Sequence, residues 1–201
     1  MESLEMASGR RKCNTKRGPG QSTGFSLIEL LIVIAIVVVI VAIAIPNLLR
    51  SKVAANEASA IGSLRNIMSA EAAYKAMYGI GYSNDLASIG GAATTDADAS
   101  CTAAQLLDAG LAKSVVGNKT QKSGYAFTFT PGKEAFKPDQ AVPSGCEVGK
   151  ADGYAVQADP VDSQAGKRHF CADASGVIRF DANREIDVTA PACAGSAAPL
   201  Q

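Results

Sequence analysis

The sequence predicts an α+β fold in which one long N-terminal helix, hydrophobic in its first half, packs by its second half on a three- to four-stranded antiparallel sheet. Two observations carry this. Leu27 to Ile45 is a run of 19 residues in which Glu29 is the only charged or polar member. After Gly124, short segments alternate apolar and polar side chains between Gly and Pro punctuation, the pattern of half-buried strands.

As a helix the apolar run would span about 28 Å, close to the hydrocarbon thickness of a bilayer. Ile and Val fill 12 of its 19 positions, a composition lipid tolerates because a helix satisfies its own backbone. Glu29 would cost roughly 2.5–3.5 kcal/mol if fully immersed there, so a partner that offsets this is expected. Pro46 lacks an N–H and crowds the preceding turn, which predicts a kink or local melting. From Asn47 to about Tyr78 the pattern turns amphipathic: Val53, Ile61, Leu64, Met68 and Ala72 recur at helical spacing. Arg50, Lys52, Glu57, Arg65 and Lys75 fall on the other faces. Ala54, Ala55, Ala58, Ser59, Ala60, Gly62 and Ser63 keep this stretch narrow, so another helix can approach closely. The second part of the helix is expected to cover the chain's own sheet, and the first to meet neighbours.

Gly79, Gly81 and the polar stretch from Gly90 to Ser100 mark a connecting loop. Thr102 to Ala112 reads as a short helix, with Thr102 as cap and Leu106, Leu107 and Leu111 as its apolar face. Strands follow at Tyr125–Phe129, Tyr154–Ala158, His169–Ala172 and Val177–Phe180, the last two joined by the turn Asp173-Ala-Ser-Gly176. The tail from Asp187 to Gln201 carries no periodicity and reads as structureless.

Charge is divided unevenly in this formally neutral chain. Residues 1–24 hold five Lys/Arg (Arg10, Arg11, Lys12, Lys16, Arg17) against Glu2 and Glu5, whereas the rest holds 14 Lys/Arg and 17 Asp/Glu, a net of −3. Basic residues ahead of an apolar run predict a cytoplasmic N-terminus and an exported C-terminal part. Cys13 lies in the basic segment. Cys101, Cys146, Cys171 and Cys193 lie in the exported part, where disulfides persist. Two disulfides are expected; the three pairings stay open, with Cys193 favoured as the residue that ties the tail back.

Gly24 followed by Phe25-Ser26-Leu27-Ile28-Glu29-Leu30, after a basic leader, resembles the processing site of type IV prepilins and of type II secretion pseudopilins. The resemblance is specific from Gly24 to about Pro46; a looser one, in the order of the Gly/Pro-bounded strands, extends to the globular region of pilins. It implies a pilin-like fold in three parts: a leader, 1–24, removed by a prepilin peptidase; a transmembrane and assembly helix, 25–52; and a globular domain, 53–201. In this family a membrane-embedded aspartyl peptidase cuts after the glycine and N-methylates the new terminal phenylalanine, which places the cut between Gly24 and Phe25. Leaders of this kind are often shorter than 24 residues, and Met6 offers an alternative start.

The new amine on Phe25 keeps its charge after one methylation. Glu29 lies one helical turn along, so subunits stacked with an axial offset could set one chain's Glu29 against a neighbour's amine. The implied product is a subunit of a type IV pilus, a helical homopolymer, with a short periplasmic pseudopilus as the alternative. Implied partners are other copies of the chain, the peptidase/methyltransferase, an inner-membrane assembly platform and, before assembly, membrane lipids. The implied location is the inner membrane first, then the cell surface or periplasm. A disulfide-clamped C-terminal region is more typical of pilins than of pseudopilins.

Catalytic and cofactor readings find little support. His169 is the sole histidine, on an alternating strand, and no phosphate-binding Gly-rich loop or Cys-x-x-Cys pair occurs. No cofactor or metal is expected; Asp96 with Asp98, or Asp159 with Asp162, are too sparse to make a calcium loop. Basic residues beyond the anchor do not cluster with aromatics, so no strong nucleic-acid binding is expected.

Overall fold

The computed structural model describes residues 24–91, 99–112, 119–139, 141–183, 185–186, 188–189, 192–193 and 198–200. The basic leader residues with Cys13 and the pair Asp96 and Asp98 lie outside them. The chain divides between Ala44 and Ile45 into two units. In the first, helix α1 (Leu27–Tyr78) opens with apolar side chains exposed around its whole circumference. The helix assignment runs through Pro46 without interruption, so the local melting that a missing N–H permits does not occur. One lost bond is outweighed by the intact ladder on either side.

The second unit has the predicted α+β architecture, with a larger sheet than expected. Four strands fall where alternation places them: β2 (Tyr125–Pro131), β3 (Tyr154–Pro160), β4 (His169–Asp173) and β5 (Ile178–Asp181). Two short margins extend them, β1 (Lys119–Lys122) beside β2 and β8 (Ala198–Pro199) beside β5. The result is a six-stranded antiparallel sheet in the order β1-β2-β3-β4-β5-β8. The β1–β2 connection is the two-residue turn Ser123-Gly124, with φ of 50° and 78°. Positive φ at both positions matches the right-handed strand twist, and glycine carries it without a Cβ clash.

Register sets Thr120, Phe127, Ala158, Phe170, Phe180 and Ala198 in one row across all six strands. Phe127, Ala158 and Phe170 are fully buried in a core shared with Ala60, Leu64, Ile67 and Tyr74 of α1. From Thr120 to Phe170 small and large side chains alternate along the row, which lets the helix settle into it. The buried side of α1 is Glu57, Ala60, Leu64, Ile67, Glu71 and Tyr74, at alternating steps of three and four. This corrects the predicted stripe: only Leu64 belongs to it, Val53, Ile61 and Met68 flank it half-buried, and Ala72 is exposed. The displacement arises because two glutamates, Glu71 and the Glu57 expected on another face, find hydrogen-bond donors inside.

The segment predicted as a helix over Thr102–Ala112 is helical only at α3 (Ala109–Ala112). A helical turn missed in the sequence, α2 (Leu86–Ile89), is capped by Asp85, whose carboxylate accepts from Ser88 N at 2.7 Å. Carbonyls in and just after α2 draw off the N–H groups that would have built the longer helix. Ala104 donates to Ser88 O at 2.9 Å and Leu106 to Ile89 O at 2.9 Å. Backbone donors must be satisfied somewhere, and this exchange decides the local structure.

The tail is also not structureless. β6 (Val188–Thr189) and β7 (Ala192–Cys193) form a hairpin, and Cys171, Ile186 and Cys193 make a second small core with Val188 packed against it. Disulfides join Cys101 to Cys146 and Cys171 to Cys193. The second closes a sequence separation of 22 and holds the hairpin to β4. Replacing Cys171 and Cys193 together by Ser is expected to cost about 2–4 kcal/mol, seen as a lower urea midpoint with a slope equal to or steeper than the parent's, because the uncrosslinked chain exposes more surface when unfolded.

Candidate functional site

The first candidate site is the start of the apolar helix. Gly24 lies in coil, and a Cβ built there meets nothing within 4 Å. Nothing among the described residues therefore demands glycine at 24. Phe25 is 81% exposed. The first turn is already closed by Leu30 N donating to Ser26 O at 3.2 Å. Glu29 sits in that turn, where a carboxylate is favoured by the positive end of the helix dipole. Among the described residues Glu29 makes no ion pair, and its helical neighbours one turn on, Ile32 and Val33, are exposed and apolar. An acid surrounded by hydrocarbon on its own helix has no internal partner to offset its burial in lipid or in a packed bundle. The helix is long and apolar enough to cross a membrane, judged by length and composition.

The second candidate lies further along α1, in the second unit, and was not legible in the sequence. Glu57 is buried, with Arg168 Nε and Nη2 at 2.8 and 2.7 Å from its Oε2. Its Oε1 accepts from the backbone N–H groups of Lys167 at 3.1 Å and Arg168 at 3.4 Å. Asn56 donates to Ala165 O at 2.8 Å, and Ser59 to Ser123 Oγ at 3.0 Å. Tyr125 OH donates to Arg168 O at 2.9 Å. The bonds to Glu57 and Asn56 clamp the loop between β3 and β4 onto the helix, Ser59 holds the β1–β2 turn, and Tyr125 ties the same loop to β2. The guanidinium also lies over the rings of Phe170 and Phe180, at 5.4 and 5.6 Å. Partners 111 residues apart leave no local signal in a sequence.

Glu57→Ala would strip this forked pair while leaving Arg168 half-exposed to water. The expected cost is about 2 kcal/mol, with a lower melting temperature, and less for Glu57→Gln, which still accepts from Lys167 N.

A second buried acid, Glu71, accepts from Ser83 N at 2.9 Å and from Ser83 Oγ. Burial pushes its pKa up from 4.5 to about 7, against the lowering effect of the Ser83 hydrogen bonds. His169 is held by Asp159 on the neighbouring strand, at 2.7 Å from Nδ1. Asp162, the other half of that candidate calcium pair, is taken by the N–H groups of Gln164 and Ala165. Among the described residues no three His, Cys, Asp or Glu side chains come together to hold a metal ion.

Residues 21–45 match the family model described as the prokaryotic N-terminal methylation motif, the class III signal peptide of type IV pilins and pseudopilins. The match takes in Gly24, Phe25 and Glu29 and ends one residue before Pro46. No curated protein and no solved structure matches the chain.

Proposed function

We propose, for a chain that carries the N-terminal methylation motif of type IV pilins and pseudopilins, that it is the structural subunit of a type IV pilus. The chain waits in the inner membrane, loses residues 1–24, is methylated on Phe25 and polymerises through its apolar helix. The observation that carries this is the motif at residues 21–45 coinciding with a helix whose apolar side chains are exposed on every side. Exposed hydrocarbon of that extent needs lipid before assembly and other copies afterwards. In the filament, Glu29 faces the Phe25 amine of an adjacent subunit and so fixes the axial register. The alternative is the short pseudopilus of a type II secretion system, which uses the same stem. The two disulfides favour the pilus, by the pilin habit of clamping the C-terminal region.

The mass of the mature N-terminus tests the processing. A chain beginning at Phe25 with one added methyl group is expected. Gly24→Ala is expected to accumulate as the precursor with leader attached; normal mature protein from that variant would refute the cut. Shearing cells and probing for long surface fibres separates pilus from pseudopilus.

A further inference from the structure

We propose that a groove between α1 and the β3–β4 loop binds the headgroup of an anionic phospholipid. The inference rests on the membrane-stored form described above. The groove encloses about 600 Å³. Leu49, Val53 and Ala54 of α1 give it an apolar wall, and Arg50 from α1 and Lys167 from the loop supply cations. Glu57 and Arg168 also border it, but they neutralise each other in the forked pair. Arg50 and Lys167 are both exposed and make no ion pair among the described residues. The groove therefore carries two uncompensated positive charges beside a hydrocarbon surface.

That combination selects its occupant. A free phosphate would use the cations and gain nothing from Leu49 and Val53. An uncharged apolar segment would cover the wall and strip water from two unpaired cations, which is costly. A phosphodiester joined to acyl chains satisfies both parts, charge against charge and chain against chain. Sequence position agrees. Leu49 and Arg50 come four and five residues after Ile45, where the membrane-length run ends. These residues meet headgroups on the exported face of the bilayer when that run lies in it, and a cation at that level can pair with an anionic phosphodiester. Bound lipid would seat the subunit at the membrane surface until assembly removes it.

The test uses the full mature chain in a neutral detergent, titrated with lipid and followed by native mass spectrometry. Phosphatidylglycerol is expected to form a one-to-one adduct at concentrations where phosphatidylcholine with the same acyl chains does not. Arg50→Gln combined with Lys167→Gln is expected to weaken that adduct about tenfold or more. Lys52→Gln, which removes an exposed cation outside the groove, is expected to leave it unchanged. Equal adducts with both lipids, or an unaltered adduct in the double variant, would overturn the proposal. So would competition by soluble glycerol phosphate at matched concentration, which would mark a simple anion site. A double variant that changes dimer content and not lipid content would assign the face to a second copy of the chain. The same spectra report the Phe25 terminus and its methyl group, so a failure of the processing scheme is seen separately from a failure of lipid binding.

Discussion

Glu29→Ala is expected to insert into the membrane and be cleaved normally, yet to yield no fibres. Insertion depends on the other 18 residues of the run, and losing an acid lowers its cost by roughly 2.5–3.5 kcal/mol. The proposed cut falls between Gly24 and Phe25, in exposed coil ahead of the helix. Assembly is different. In a packed bundle of stems the Phe25 ammonium would be left without its counter-charge, a loss of about 3–5 kcal/mol per contact. Each subunit added to a filament would meet that loss, so an elongation equilibrium weakened by about a hundredfold or more is expected. Glu29→Asp, shorter by one methylene, is expected to fall between. Comparing sheared fibre with mature protein in the membrane fraction reads the effect. Wild-type fibre from Glu29→Ala would remove the register argument.

The second large effect is a pH dependence of stability centred on Glu71. With its pKa near 7 when folded and an ordinary value of 4.5, the folded chain keeps a proton that the unfolded chain releases between those limits. Stability contributed by this site is therefore full below 4.5 and falls as pH rises, the loss being complete above about 7. A shift of this size corresponds to roughly 3 kcal/mol. Glu71→Gln should remove this site's share of the slope. Its carbonyl can accept from Ser83 N, and its amide can donate to Ser83 Oγ, which itself donates to Asp85 O at 2.9 Å. The neutral acid bonds in the same way, so the variant imitates it at every pH. Urea midpoints of the full chain in mild detergent, at about pH 5 and about pH 8, should differ by less in the variant than in the parent. Asp159, also raised by burial, contributes equally to both chains and cancels from the comparison. Parallel pH dependences in the two would show that Glu71 is ionised throughout.

Local rules went far in this chain. The apolar run, its junction at Gly24 and the single acid at Glu29 are contiguous, so the stem could be read residue by residue. The strands β2 to β5 alternate clearly and are bounded by Gly or Pro, and the turn before Gly176 announced a hairpin. What escaped depended on distant partners. Glu57 looks like a surface residue until Arg168 is known to reach it. Glu71 looks the same until Ser83 closes over it. The helix expected over Thr102–Ala112 lost its backbone donors to α2, an element too short to show periodicity. β1 reads Lys-Thr-Gln-Lys and β8 is Ala-Pro; neither has an apolar pattern, and both exist because a neighbouring strand offered an open edge.

Those two marginal strands have a further consequence. A bare sheet border is an invitation for another molecule to add itself and keep going. Here one border carries Lys119 and Lys122, and the other ends in Pro199, which has no hydrogen to donate. Like charges would face each other if two such borders met, and the opposite side lacks a donor where a ladder would need one. In the proposed filament, the globular parts of neighbouring subunits could therefore be crowded together at high density without fusing into a continuous cross-strand aggregate.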